Sequence, residues 1–207
     1  MDTLTRDKWD RAAASFDWMN GAGPEKRWGP VKRELFSAMR GEVLFLAVGT
    51  GLDIRFFPPG RRITGIDISA EMLKRAEARA RAYDGELTLL QRDVLELDSQ
   101  ENGLAEARFD QVFTSCTFCS VPRPVAGLRQ LLRVLKPGGE LLMFEHTGSR
   151  YFPFRQIMNW MTPLSRAFGP EMNRDTVANV AAAGFELASV RNIYLDVVKV
   201  IRARRPA

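Results

Sequence analysis

The fold is decided by the stretch Val43-Leu44-Phe45-Leu46-Ala47-Val48-Gly49-Thr50-Gly51, an apolar run that ends in a Gly-x-Gly turn. Its six consecutive apolar residues predict a strand buried on both faces, as in a parallel sheet covered by helices. Glycines directly after such a strand allow a tight turn and let a ligand approach the backbone closely. The stretch therefore predicts a strand-to-helix turn at the carboxyl edge of an α/β sheet, where open sheets bind their ligands.

Six further apolar runs follow, with helical patterns between them. The predicted strands are Ile63–Asp67, Leu87–Gln91, Phe109–Thr114, Glu140–Glu145, Phe185–Val190 and Tyr194–Ile201. The predicted helices are Ala70–Tyr83, Pro124–Leu135 and Arg174–Ala183. This alternation predicts a Rossmann-like, doubly wound α/β fold, with a mostly parallel seven-stranded sheet and helices on both faces. Only Arg191-Asn192-Ile193 separates the last two strands, so we expect a hairpin and one antiparallel strand near the sheet edge.

The length of 207 residues predicts a single domain over 1–207. Within it we expect a helical N-terminal cap at 1–40 and a cofactor-binding core at 41–147. Residues 148–172 are rich in aromatic, Met and Arg side chains and are expected to cover the substrate. Residues 173–207 are expected to form a helix and a hairpin.

The net charge of +5 permits an anionic partner, either nucleic acid or a membrane surface. Nucleic acid is disfavoured, because the arginines are dispersed and no basic domain is appended. No apolar run reaches the roughly 20 residues of a membrane-spanning helix. The N-terminus lacks the apolar core of a secretory signal. A cytoplasmic location is therefore expected, with peripheral contact at the inner membrane surface left open.

Cys116 and Cys119 lie three positions apart, a spacing that redox and zinc sites share. A zinc site would need a second pair of ligands, which the sequence lacks. We expect no metal and two reduced, mostly buried thiols.

Polar residues follow the next strands where those strands end. Asp67 stands at the tip of the second strand, where a carboxylate accepts both hydroxyls of a ribose; a helix cap is the alternative. Ile68 and Met72 follow it, placed to cover an adenine face. Asp93 is a candidate acceptor for the exocyclic amine of adenine, with Val94 packing on the ring; the alternative is a surface turn.

The fourth strand ends in Ser115-Cys116-Thr117, whose backbone is expected to lie beneath the ligand. A dinucleotide fingerprint would need a third glycine at the position of Ile54. A purely structural tight turn remains the alternative for residues 49–51.

The same motifs occur in the same order and spacing in class I S-adenosylmethionine-dependent methyltransferases, which the chain resembles over residues 40–147. The motifs that carry this resemblance are Gly49-Thr50-Gly51, Asp67, Asp93-Val94, Phe109-Asp110-Gln111-Val112 and Leu135-Lys136-Pro137-Gly138-Gly139. The stretch from Trp9 to Asn20 resembles the N-terminal motif of the ubiquinone/menaquinone-biosynthesis branch, which has Tyr-Asp where Phe16-Asp17 stands.

Three other stretches resemble patterns of the thiol methyltransferase-like group within that branch. These are Cys119-Ser120-Val121, Met143-Phe144-Glu145-His146 and Asn173-Arg174-Asp175-Thr176. Bacterial phospholipid N-methyltransferases are similar in size and layout. The chain departs from the resemblance at Ala47, where a glycine is usual, and at Phe45, where a carboxylate is usual. These departures would narrow the loop and remove a polar contact near the cofactor.

The resemblance implies S-adenosylmethionine as cofactor and S-adenosylhomocysteine as product. It implies that Gly49 and Gly51 line the methionine part, that Asp67 holds the ribose, and that Asp93 and Val94 hold the adenine. The full set of expected cofactor-binding residues is Phe16, Val48, Gly49, Thr50, Gly51, Asp67, Ile68, Met72, Asp93, Val94, Ser115, Cys116 and Thr117.

The sequence gives fewer signals for the residues that would bind the methyl acceptor. His146 is a candidate catalytic base because histidine titrates near neutrality; a structural histidine is the alternative. Trp18, Tyr151 and Trp160 are candidate substrate contacts, and the stretch 151–161 is expected to form a pliable apolar lid or, alternatively, to pack on the sheet.

We expect methyl transfer to a small hydrophobic or lipid-like acceptor, a thiol first and a phospholipid amine second. Quinone precursors come third. A non-catalytic cofactor-binding protein and a nucleic-acid-directed protein are further alternatives. The oligomeric state stays open.

Overall fold

The computed structural model describes residues 1–20, 22–98, 100, 103–168 and 171–207. Helices α1 (Thr3–Asn20) and α2 (Ala22–Phe36) precede the sheet. The strands are β1 (Glu42–Leu46), β2 (Arg62–Asp67), β3 (Glu86–Gln91), β4 (Phe109–Ser115), β5 (Leu135–His146), β6 (Glu186–Tyr194) and β7 (Val198–Arg204). The remaining helices are α3 (Ala70–Arg81), α4 (Pro124–Val134), α5 (Phe154–Phe168) and α6 (Thr176–Ala182).

The seven strands form one sheet in the order β3-β2-β1-β4-β5-β7-β6. All neighbours pair in parallel except β7, which is antiparallel to both β5 and β6. The predicted fold class is confirmed. The chain winds outward in one direction from β1 to β3 and in the other from β4 to β5. This reversal leaves a crevice at the carboxyl ends of β1 and β4, the usual ligand position in such sheets.

Two apolar clusters lie on the two faces of the sheet. Residues of α4 and α6, such as Leu128 and Val180, pack on one face. Residues of α2 and α3, such as Phe36 and Ala76, pack on the other. Phe45 belongs to the second cluster, with its ring centroid 5.4 Å from that of Phe36 and buried to 1% exposure. The position where the resemblance expects a carboxylate is therefore part of the aromatic core.

The predicted position of the final hairpin is wrong. Arg191–Ile193 lie inside β6, and the turn falls instead at residues 195–197, where Leu195 has φ +46°. The polar side chains misled the prediction because β6 is the outermost strand and solvent covers it. Arg191 forms an ion pair with Glu34 there.

Polar side chains cap the starts of two helices, and α6 begins at Thr176, two residues after the predicted start at Arg174. Ser69 accepts a hydrogen bond from the Met72 amide at 3.1 Å at the start of α3. Asp175 accepts one from the Ala178 amide at 3.0 Å at the start of α6. Among the described residues, no helix is both long and apolar enough to cross a membrane.

Candidate active site

A cavity of about 360 Å³ opens at the carboxyl edge of the sheet. The carboxyl ends of β1, β2, β4 and β5 and the residues that follow β3 form its floor, and side chains of α1 and α2 form its roof. Eleven of the thirteen expected cofactor residues line it: Phe16, Val48, Gly49, Asp67, Ile68, Met72, Asp93, Val94, Ser115, Cys116 and Thr117. The sequence motifs thus converge on one cavity.

Asp67 is held by backbone donors at the end of β2. Its Oδ2 accepts a hydrogen bond from the Gly49 amide at 2.8 Å, and its Oδ1 accepts one from the Ser69 amide at 2.9 Å. The carboxyl group is 7% exposed, and burial raises its pKa to about 6. Each oxygen keeps a further lone pair, so the carboxylate can accept two more hydrogen bonds from a ligand in the cavity.

Of the three residues in the Gly-x-Gly turn, Gly49 lines the cavity, whereas Thr50 and Gly51 do not. Gly49 has φ +58°, and a Cβ there would meet only the Phe16 ring, at 3.9 Å. Gly51 does not line the cavity: a Cβ there would lie 2.8 Å from the Ile54 side chain. Thr50 also lies outside the lining, and its hydroxyl donates a hydrogen bond to Asp17 of α1. Gly51 therefore allows close packing within the turn, and Thr50 attaches the turn to α1.

Ala47 stands before this turn with φ +56°, in the left-handed region that favours glycine. The backbone keeps the conformation of the usual glycine despite the alanine side chain. The methyl group lies in the cavity wall.

The Asp93 carboxylate accepts hydrogen bonds both from the turn that follows it and from the N-terminal residues of the chain. Its Oδ1 accepts a hydrogen bond from the Leu95 amide at 2.9 Å. Its Oδ2 accepts one from the Asp2 amide at 2.8 Å. Asp2 and Thr5 line the cavity beside it. The carboxylate expected to meet adenine thus also fixes the first residues of the chain over this end of the cavity.

Glu145, which the sequence did not single out as a site residue, supports the turn after β4. It is completely buried and accepts hydrogen bonds from the Thr114 hydroxyl at 2.6 Å and from the Thr117 and Phe118 amides at about 3 Å. Burial raises its pKa to about 7. The turn places Cys116 in the cavity wall with φ +53°.

Sequence reasoning also missed an ion pair in the cavity. Lys32 of α2 donates to Asp53 Oδ1 at 2.8 Å, and both side chains are less than a fifth exposed. The Lys32 ammonium lies 5.4 Å from the centroid of the Phe144 ring. Trp28, one helical turn earlier, also lines the cavity. The sequence carries no signal for this pair, because a positively charged residue one turn after a tryptophan is a common arrangement in helices.

The structure does not bring the expected base or substrate residues to the cavity. His146 is part of β5, paired with Val198 of β7, whereas the sequence placed it just past the strand. Burial lowers its pKa. Tyr151, Trp160 and Trp18 are 68%, 82% and 89% exposed and absent from the cavity lining. The apolar face that was expected to cover the substrate points to solvent.

The two cysteines are both free thiols. Cys119 is buried, and Cys116 is exposed at the cavity wall, so the expectation of two mostly buried thiols holds only for Cys119. Burial raises the pKa of the Cys119 thiol, which keeps it protonated at neutral pH.

A model of the methyltransferase domain family matches residues 44–143, from β1 to the middle of β5. The chain carries a class I methyltransferase domain. The thiol S-methyltransferase TMT1B of Homo sapiens is 34% identical over 133 residues, which are 58% of this chain and 52% of that protein. The ubiquinone/menaquinone biosynthesis C-methyltransferase UbiE of Syntrophotalea carbinolica is 34% identical over 68% of this chain and 60% of its own length.

This methyltransferase domain has the same fold as phosphoethanolamine N-methyltransferase 2 of Haemonchus contortus, solved with phosphomonomethylethanolamine and S-adenosylhomocysteine. The TM-score is 0.69 at 16% identity, over 98% of this chain and 61% of that one. The chain spans between half and two thirds of the length of these three proteins. Their names describe transfer to sulfur, carbon and nitrogen, so the family alone does not define the acceptor.

The residues of the methyltransferase domain fit S-adenosylmethionine. Asp67 offers a buried acceptor for ribose hydroxyls, and Ile68 and Met72 supply apolar surface beside it. Gly49 leaves room for close approach of the methionine part, since a Cβ there would project toward the Phe16 ring. Ser115 and Cys116 stand at the adjoining tip of β4.

Proposed function

We propose that the chain transfers a methyl group from S-adenosylmethionine to a small hydrophobic acceptor, with thiols as the preferred class. One observation carries this proposal. A single cavity joins a buried carboxylate at the β2 tip to a largely aromatic region near β5 and α2, formed by Trp28, Phe56 and Phe144. The first region suits the cofactor, and the second suits an apolar acceptor.

When bound, S-adenosylmethionine supplies an electrophilic methyl group on a sulfonium. The protein's task is then to hold a nucleophile close to that carbon and in line with it. Both a thiol and an ammonium group must lose a proton to become nucleophilic, but the thiol, with a pKa of about 8.5 against about 10.4 for an alkyl amine, releases it to water more readily and depends less on a protein base. His146 lies outside the cavity lining, which favours the thiol.

Lys32 supports the same choice. Its ammonium stands beside an aromatic wall in a mostly buried position. A nearby cation stabilises an ionised thiol and disfavours a protonated amine. Asp53 partly neutralises this cation, so the effect on the acceptor is smaller than that of an unpaired lysine.

A phospholipid amine is the second candidate, favoured by the exposed aromatic side chains of α5 and the segment before it. Such an acceptor would present its headgroup at a bilayer surface. It would still need to lose a proton before transfer.

The test is an acceptor assay with purified protein and S-adenosylmethionine. Short alkyl thiols, phosphatidylethanolamine vesicles and a demethylated quinol are offered in parallel, and methylated products are measured by mass spectrometry. We expect S-methylated product with thiols. We also expect Asp67→Ala to reduce turnover at least tenfold, the effect of losing hydrogen bonds worth about 1.5–3 kcal/mol.

The matched control is Asp84→Ala, an exposed aspartate outside the cavity lining. It should leave turnover unchanged. Methylation of phosphatidylethanolamine but not of thiols would replace the proposal by its alternative. Cofactor binding with no product from any acceptor would favour a non-catalytic protein.

A further inference from the structure

Large apolar side chains are exposed along α5 and the segment before it. Six of them fall within eleven residues: Tyr151, Phe152, Phe154, Ile157, Trp160 and Met161. Their exposed fractions run from 44% to 82%. We call these six side chains the α5 surface. An apolar patch of this kind on a protein commonly marks a binding surface.

The α5 surface is not a misplaced core face, because α5 already buries another side. Met158 and Thr162, one turn apart, are 7% and 3% exposed. The Met158 sulfur also lies 3.4 Å from the Ser149 amide. Ile157, Trp160 and Met161 fall on the remaining surface. The helix is thus attached to the fold through one side and presents aromatic and aliphatic groups on another.

The charge of this part of the chain is one-sided. Residues 149–170 contain Arg150, Arg155 and Arg166 and no aspartate or glutamate. Arg150 and Arg155 are exposed, whereas the Arg166 side chain lies outside the described part of the structure. Apolar and aromatic groups combined with excess arginine are typical of a helix that lies in a membrane interface. Tryptophan and tyrosine favour the headgroup level of a bilayer.

We propose that the α5 surface docks the protein on an anionic lipid bilayer. The aromatic side chains would enter the boundary between headgroups and acyl chains, and the arginines would meet lipid phosphates. A second copy of the chain is a poorer occupant, because a two-fold contact would bring arginines from both copies together without acidic partners. Lipid phosphates supply the opposite charge.

Docking would bring the bilayer close to the cavity. The Glu171 amide, just after this segment, donates a hydrogen bond to the Cys119 carbonyl at 2.8 Å. The next residues, Ser120 to Pro122, line the cavity. The bilayer-facing segment is therefore tied to the cavity wall, and hydrophobic acceptors dissolved in the bilayer would be concentrated near it.

The test is co-sedimentation of the whole chain with vesicles, a measurement that needs no turnover. One set contains equal parts of phosphatidylglycerol and phosphatidylcholine, and the other contains phosphatidylcholine alone. We expect binding to the anionic set at low salt, at least tenfold stronger than to the neutral set, since each basic residue near such a surface strengthens binding roughly fivefold.

Two paired variants separate the apolar and charged contributions. Phe152→Ser with Trp160→Ser should weaken anionic vesicle binding at least tenfold, because burial of each aromatic side chain is worth roughly an order of magnitude. Arg150→Gln with Arg155→Gln should remove most of the preference for anionic vesicles. The control is Trp18→Ser, an equally exposed indole on α1, which should bind as the unaltered chain does.

Exposed positions allow these changes without loss of folding, which circular dichroism checks. Three results would overturn the proposal: no vesicle binding, unchanged binding by the aromatic double variant, or an equal loss with Trp18→Ser. Gel filtration provides a fourth result that would overturn the proposal. A dimer that the aromatic double variant dissociates, without vesicle binding, would make the α5 surface a contact between copies.

Discussion

Two helical regions of this protein were expected to cover a ligand, and among the described residues only one of them lines the cavity. Trp9, Phe16, Trp28 and Lys32 of α1 and α2 line the cavity. None of the described residues of 148–172 lines it. Both regions are rich in aromatic side chains, so aromatic content alone does not separate a ligand cover from an outward surface.

The difference lies in polar side-chain contacts that attach α1, but not the six described side chains of the α5 surface, to the rest of the fold. Asp10 of α1 accepts a hydrogen bond from the Ser69 hydroxyl at the start of α3. Asp17 accepts one from Thr50 in the glycine turn and forms an ion pair with Arg79. These contacts hold α1 over the strand tips that carry the residues expected to bind the cofactor. The α5 surface has no comparable attachment among its six side chains, all of which are at least 44% exposed.

The largest expected effect compares one tryptophan from each region. Trp28 is half-buried, with ring centroids 5.9 Å from Phe144 and 6.1 Å from Tyr194. Trp28→Ala should lower the free energy of unfolding by about 2–3 kcal/mol, below the range for a fully buried tryptophan. Trp160→Ala should change it by less than about 0.5 kcal/mol. Urea unfolding measures both, and equal losses would contradict the assignment of the two regions.

The second-largest expected effect concerns the Lys32–Asp53 ion pair, which lines the cavity beneath α1 and α2. Lys32→Met keeps the apolar stem but leaves Asp53 without its cation, and should cost about 2 kcal/mol of unfolding free energy. Lys26→Met is the control, an exposed lysine on the same helix, with less than about 0.5 kcal/mol expected. Turnover of a thiol should fall in the first variant alone. Identical thiol KM and kcat in both variants would remove Lys32 from the acceptor region.

The pH dependence of cofactor binding tests the buried end of the cavity. Asp67 must be ionised to accept from both ribose hydroxyls, and its pKa in the free protein is about 6. Below that value the proton must leave before binding, so affinity should fall about tenfold, or 1.4 kcal/mol, per pH unit. Calorimetry at pH 7.5 and pH 5 measures this fall. Asp67→Asn should bind weakly at both values, and a pH profile that this change leaves intact would assign the titration elsewhere.

The raised pKa of Asp67 also affects the free energy of unfolding. Unlike cofactor affinity, this free energy is expected to fall as the pH rises. The folded chain binds a proton at Asp67 and at Glu145 more tightly than the unfolded chain does, with folded values near 6 and 7. The contribution of these groups to the free energy of unfolding therefore falls as the pH rises from about 4 to 7.

The smallest expected effect concerns Ala47. Its φ of +56° costs an alanine about 1–2 kcal/mol relative to a right-handed conformation, a cost that glycine avoids. Glycine loses more backbone entropy on folding, so Ala47→Gly should raise the free energy of unfolding by about 0.5–1 kcal/mol. Thermal unfolding measures the gain. A loss of stability would show that the Ala47 methyl group packs favourably in the cavity wall.

Local patterns predicted most of the sheet and the cofactor side of the site. The Gly-x-Gly turn, Asp67 and Asp93 follow apolar runs, and strand ends in a parallel sheet meet at one edge, so their convergence follows from the fold class. The Lys32–Asp53 pair could not be found this way, because it joins residues 21 positions apart on different elements. His146 was misplaced because pairing with β7 extends β5 by one residue, which no local signal shows.

The central claim is that the cavity beneath α1 and α2 binds S-adenosylmethionine through Asp67. Calorimetric titration with S-adenosylhomocysteine, on the unaltered chain, Asp67→Asn and Trp160→Ala, tests it most directly. We predict saturable one-to-one binding that weakens at least tenfold in Asp67→Asn, from the loss of a charged hydrogen-bond acceptor, and is unchanged in Trp160→Ala. Absence of binding by the unaltered chain, or equal affinity in Asp67→Asn, would contradict the claim.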